Sequence, residues 1–92
     1  MNEKIVFVSG HFNILHVGHL RLLRFAKECG THLVVAVESD KIAGNAAYIQ
    51  QDLRLEGIKN ISWIDESFIF DEPLDVILER VKPDIVVKGK EH

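Results

Sequence analysis

Cysteine is almost missing from this chain: Cys29 is the only one in 92 residues. A lone thiol cannot close an internal disulfide, so burial has to hold the fold, and the usage points to a reducing, cytoplasmic compartment. Proline is limited to Pro73 and Pro83, and there is no repeat, low-complexity tract or linker that would divide the chain. Basic charge is not in excess. Eleven Lys and Arg against fourteen Asp and Glu leave a net charge of −3, which removes the broad basic surface that nucleic acid requires. No apolar run reaches the ~18–20 residues of a membrane span, and no signal peptide precedes the first strand. What remains is one globular domain over 1–92, with 47% apolar and 27% charged residues, a composition that excludes disorder.

Histidine is concentrated. Three of the five fall within nine residues, in Gly10-His11-Phe12-Asn13-Ile14-Leu15-His16-Val17-Gly18-His19. The apolar run Ile5-Val6-Phe7-Val8 before this stretch reads as a strand, and residues 17–29 after it read as a helix. A strand, a glycine turn and a helix N-terminus make an anion site, because unpaired N–H groups and the helix dipole point at the ligand. His16 and His19, three apart, share one face of the first helical turn. The histidines do not form a metal set, since no carboxylate completes one at ligand spacing and Cys29 is badly placed.

Along the chain, strands and helices alternate. Leu20, Leu23 and Ala26 mark a core-facing stripe widened by Leu22, Phe25 and Cys29, and Gly30 stops the helix. Leu33-Val34-Val35-Ala36-Val37 is a second buried strand, completing a right-handed βαβ unit. Residues 41–48 read as a loop, 50–58 as a helix, and 61–64 and 68–70 as competing candidates for the third strand. Asp71-Glu72-Pro73 signals the start of a helix over 74–81, with Leu74, Ile77, Leu78 and Val81 on one stripe. Residues 84–89 form a last strand ending at Lys88-Gly89. This order predicts an α/β, doubly wound parallel sheet, with ligands at the carboxyl ends of its strands.

The histidine stretch resembles the G-x-F-D-x-x-H-x-G-H signature of the nucleotidyltransferase superfamily that contains the cytidylyltransferases, through Gly10, Phe12, His16, Gly18 and His19. Further along, Ser39-Asp40, Arg54 followed by Ile64-Asp65, and Val86-Val87-Lys88-Gly89 resemble later motifs of the family in the right order. The resemblance implies the Rossmann-like fold of the H-x-G-H nucleotidyltransferases, among them sugar-phosphate and glycerol-phosphate cytidylyltransferases and heptose-phosphate adenylyltransferases. It implies transfer of a nucleotidyl group from ATP or CTP, with Mg²⁺ on the triphosphate, to a phosphorylated sugar or alcohol, releasing pyrophosphate. Catalysis would fall to His16 and His19. Gly10, His11, Phe12, Asn13, Gly18, Lys88 and Gly89 would bind the nucleotide phosphates, and Asp40, Arg54 and Asp65 would lie around the substrates.

The chain departs from the family pattern in several places. His11 stands where a small hydroxyl residue is common, and Asn13 where Asp is usual. The segment after Asp40 offers only Lys41, and the serine/threonine-rich phosphate-binding turn that follows in related enzymes is missing. The expectation is therefore the front piece of a longer enzyme, fused to a sugar-kinase-like domain or working as a homodimer. The alternative is a nucleotide-binding or assembly module of the same fold without turnover. Aminoacyl-tRNA synthetases carry a related signature, but 92 residues at a charge of −3 leave no room for tRNA.

Overall fold

A continuous apolar run becomes a central strand when both of its faces must be buried. In the computed structural model, which describes residues 3–13, 15 and 17–88, β1 (Ile5–Gly10) and β2 (His32–Glu38) lie side by side at the middle of a parallel sheet. β3 (Glu66–Phe70) pairs with β2 and β4 (Ile85–Val86) with β1, giving the order β3-β2-β1-β4. The strand period of two then divides the side chains between two layers. Val6, Val8, Leu33, Val35 and Val37 share one core with Leu23 and Ala26 of α1 (Val17–Glu28) and Ile58 of α3 (Gln51–Lys59). Phe7, Val34, Ala36 and Phe70 pack on the other face with Ile77 of α4 (Leu74–Val81). The expected doubly wound, Rossmann-like α/β sheet is what the chain forms.

Four local readings change. Residues 41–48 are not all loop: α2 (Asp40–Ala43) and a 3-10 turn (Gly44–Ala46) occupy most of them. The buried Ser39 caps α2, its Oγ accepting the Ile42 N–H at 3.1 Å, and Gly44 at φ +57° ends it. The third strand is the later candidate. Residues 61–64 form a turn, with the Ile64 N–H donating to the Ile61 carbonyl at 3.3 Å, and their apolar side chains close the α1/α3 core. Among the described residues the last strand is shorter than expected, with Ile85 and Val86 alone in the ladder. On α1, Leu20 and Phe25 are exposed at 37% and 58%. So many positions of this helix are apolar that periodicity admitted several stripes, and the sheet selected the one through Leu23 and Ala26.

Gly30 does more than end α1. A Cβ built there would stand 2.5 Å from the Lys4 carbonyl oxygen and 2.6 Å from Val6 Cγ2, so only glycine lets this turn approach the start of β1. Gly30→Ala is expected to cost about 1–3 kcal/mol of stability through this overlap, read as a lower urea midpoint at unchanged slope. A midpoint equal to the parent's would show that β1 yields freely.

Candidate active site

The carboxyl ends of the strands carry the polar groups. β1 ends at Gly10, which pairs with Val37 in β2, and β2 ends at Glu38, which pairs with Phe70 in β3. Immediately past Gly10 the backbone turns at Phe12, whose φ of +50° is unusual for a residue with a side chain. Left-handed backbone costs roughly 1–2 kcal/mol outside glycine, and burial of the Phe12 ring in the α1/α3 core offsets it. That ring also meets His19 edge to face, with centroids 5.8 Å apart and planes at 66°. Phe12 thus turns the chain out of β1 and seats the imidazole of His19 in the first turn of α1. His11, half-buried, places Nδ1 3.7 Å from Glu38 Oε1. Gly18 is exposed in that same first turn. His16 and Gly89 lie outside the described residues.

Arg54 is the structural centre of this edge. It is 2% exposed on α3, and its guanidinium donates four hydrogen bonds of 2.7–2.8 Å. The acceptors are the carbonyls of Ile49, His11 and Glu38 and the Asp40 carboxylate, so one side chain ties the turn, the end of β2, α2 and the start of α3 together. The expected role of Arg54 beside the substrates therefore gives way to one inside the protein. Its hydrogen bond to Asp40 holds that carboxyl below the usual carboxylate range. Asp40 keeps its place at the rim with its side chain half exposed.

Asn13 is also engaged by the protein. Its Nδ2 donates to the Ala46 carbonyl, and its Oδ1 accepts the Tyr48 N–H at 2.8 Å. Lys88 is exposed one residue beyond Val87, whose N–H donates to the Phe7 carbonyl at 3.0 Å, so it reaches the same edge beside β1.

Asp65 does not join them. It precedes β3 at the amino edge, where its carboxylate accepts the Leu33 N–H at 2.7 Å and pairs with Lys27 at 2.6 Å. Five residue steps of β2, roughly 17 Å, lie between Leu33 and Glu38, so Asp65 stands apart from the groups gathered at the carboxyl edge. Asp84 repeats the device on β1, accepting the Ile5 N–H at 2.7 Å. These acids set strand register. Burial pushes the Asp65 carboxyl up, but the hydrogen bonds from Lys27 and Leu33 outweigh it and hold the carboxyl below its ordinary value near 3.8.

A carboxyl held low stabilises the fold above its unfolded pKa, and that contribution is lost as pH falls through the folded value. Asp65→Ala is expected to cost about 1–2 kcal/mol at neutral pH. It should also flatten the loss of stability below about pH 4, while leaving ligand affinity unchanged. Urea unfolding across pH checks both effects, and a weakened ligand with unchanged stability would return Asp65 to the site.

Sequence reading passed over one feature. On the α4 side of the same edge, a cavity of about 290 Å³ is lined by Ser9, Glu38, Ile42, Phe70, Asp71 and Leu74. Ser39 Oγ donates to Asp71 Oδ1 at 2.6 Å and holds one of its acids in place. Asp71 read only as a helix-start signal, and its approach to Ser39 across 32 positions has no local trace. Among the described residues, no group of three or more His, Cys, Asp or Glu could hold a metal ion, and no helix is long and apolar enough to cross a membrane.

Comparison with known proteins adds to this geometry. A family model described as cytidylyltransferase-like matches residues 7–92. The bifunctional protein HldE of Campylobacter concisus (strain 13826) is 40% identical over 97 residues, covering 98% of this chain and 20% of that protein. Its counterpart in Koribacter versatilis (strain Ellin345) is 39% identical, covering 99% and 20%. The chain spans about a fifth of the length of these curated relatives. The crystal structure of the lipopolysaccharide core biosynthesis protein from Thermoplasma volcanium GSS1 superimposes with a TM-score of 0.86 at 30% identity, over 92% of this chain and 73% of that one.

Proposed function

This chain belongs to the cytidylyltransferase-like family, and from that premise we propose that it is a nucleotidyltransferase domain. It moves a nucleotidyl group from ATP or CTP to a phosphorylated sugar or alcohol. The observation that carries the reading is the turn itself: β1 ends at Gly10, Phe12 reverses the chain, and His19 stands on the first turn of α1 at the carboxyl edge of the sheet.

In this reaction a phosphate oxygen of the acceptor attacks the α-phosphorus. The new P–O bond forms as the bond to the bridging oxygen breaks, and pyrophosphate leaves. The protein aligns the two reactants and stabilises charge growing on the phosphoryl oxygens. Backbone N–H groups at the α1 N-terminus and the imidazole of His19 suit that task, joined by His16 on the family signature and by Lys88 at the rim. No protein nucleophile takes part, and Cys29 follows the far end of α1. Mg²⁺ accompanying the triphosphate would neutralise part of its charge and be held mainly by phosphates and water.

A largely apolar cavity beside the turn, edged by Glu38 and Asp71, is the proposed seat of the acceptor. There Glu38 and Asp71 would offer carboxylate oxygens to its hydroxyl donors, while its phosphate keeps to the N-terminus of α1. The name bifunctional, borne by its relatives, supports a domain that works alongside a second activity, which we take to be sugar-kinase-like. The test combines thermal shift with pyrophosphate release over a panel of sugar and alcohol phosphates. Nucleotide at about a hundred times its Kd adds roughly 2.7 kcal/mol. The absence of both a thermal shift at millimolar ATP or CTP and pyrophosphate release would remove the reading. A shift without pyrophosphate would favour the second reading, a binding module without turnover, toward which Lys41 as the sole lysine of residues 40–50 points.

A further inference from the structure

We propose that Asn13 is a positioning residue whose carboxamide fixes residues 46–48 as one wall of the site. Its two hydrogen bonds reach 33 and 35 positions along the chain and read a carbonyl and an N–H two residues apart, at Ala46 and Tyr48. Among the described residues, little else holds this segment from the inside. The 3-10 turn Gly44–Ala46 has no buried residue, a Cβ at Gly44 would meet nothing within 4 Å, and Tyr48 is 84% exposed. A segment with so little apolar burial takes its position from its polar ties. Its two ends are tied elsewhere, at Asp40, whose N–H donates to Gln51 Oε1 at 2.9 Å, and at Ile49, which accepts from Arg54 Nε at 2.7 Å. Asn13 makes the tie between its middle and the histidine turn.

The residue type matters because the two partners have opposite polarity. A carboxamide presents one donor and one acceptor in a plane, whereas an ionised carboxylate presents acceptors only. Aspartate, usual here in the signature this chain resembles, would accept from Tyr48 but turn lone pairs toward the Ala46 carbonyl. The departure at position 13 therefore creates a clamp that aspartate cannot make when ionised. Asn13 works beside the phosphate-binding residues rather than among them, by keeping the wall and the turn in one arrangement.

The experiment compares the chain with its Asn13→Ala and Asn13→Asp variants. Amide hydrogen exchange at Tyr48, measured without ligand, is expected to speed up about tenfold in N13A and to stay slow in N13D, which keeps the acceptor. Binding of ATP·Mg²⁺ and CTP·Mg²⁺ is then followed from pH 8 to pH 5. The Kd of N13A is expected to rise about five- to tenfold, by the same factor at every pH. N13D should be weaker still throughout this range, because a carboxyl with an ordinary value of about 4 stays ionised there and turns lone pairs toward the Ala46 carbonyl. Parent-like exchange at Tyr48 in N13A, or parent-like affinity in both variants, would overturn the proposal. The affinity readout rests on the proposed nucleotide site, but the exchange readout does not. If the parent binds neither nucleotide, that function fails while exchange at Tyr48 alone decides the clamp.

Discussion

Replacing Arg54 by methionine is expected to remove about 3–5 kcal/mol of stability, out of roughly 5–14 kcal/mol for a domain of this length. Methionine keeps most of the volume, so the loss is chiefly polar. Three backbone carbonyls, of His11, Glu38 and Ile49, lose their charged donor, and Asp40 loses its partner. A buried acceptor left without a donor costs about 1–3 kcal/mol, and three of them account for the total without any packing defect. Arg54→Lys is expected to recover less than half of the loss. A single ammonium cannot reproduce a planar fork that addresses four acceptors on separate segments. Urea unfolding with an unchanged slope measures the difference. A methionine variant within 1 kcal/mol of the parent would show that these segments hold their arrangement unaided. Nucleotide affinity should fall in the folded fraction as well, because the tie between the turn and the end of β2 runs through this side chain.

Replacing His19 by asparagine is expected to reduce kcat for nucleotidyl transfer by about 10²–10³-fold, the cost of one preorganised donor to a developing oxyanion. KM should change little, since the interaction strengthens only as charge builds in the transition state. Stability should fall by no more than about 0.5–1.5 kcal/mol, the worth of the edge-to-face contact with Phe12. The split between kcat and KM separates this role from a structural one. A damaged turn would raise KM and lower the unfolding midpoint together. His16→Asn is expected to match it in kcat. Near-normal turnover in both variants would sink the assignment of the histidines, leaving the fold and the family membership untouched.

Local pattern was enough for the frame. The runs at 5–8 and 33–37 could only be strands buried on both faces, and the stripe Leu74, Ile77, Leu78 and Val81 does line the second core. The histidines between a strand and a helix pointed to the carboxyl edge because that edge is where a βαβ unit turns. Where pattern was ambiguous, packing decided. α1 is apolar on several stripes, and Ile61 and Trp63 are as apolar as Phe68 and Ile69, so periodicity alone could not say which faces the sheet.

Side-chain partners were beyond the sequence altogether. Arg54, Asp65 and Asn13 came forward as ligand residues because they stand in a familiar order, yet order along the chain does not say which end of a strand a residue occupies. Tertiary structure put Asp65 at the amino edge on Leu33 and Lys27, turned Arg54 inward onto three carbonyls, and gave Asn13 the backbone at Ala46 and Tyr48. The physical reason lies in the range of the forces. Hydrophobic periodicity is written into neighbouring residues. A hydrogen bond across some 30 positions exists only after sheet order and register have brought its two ends within 3 Å.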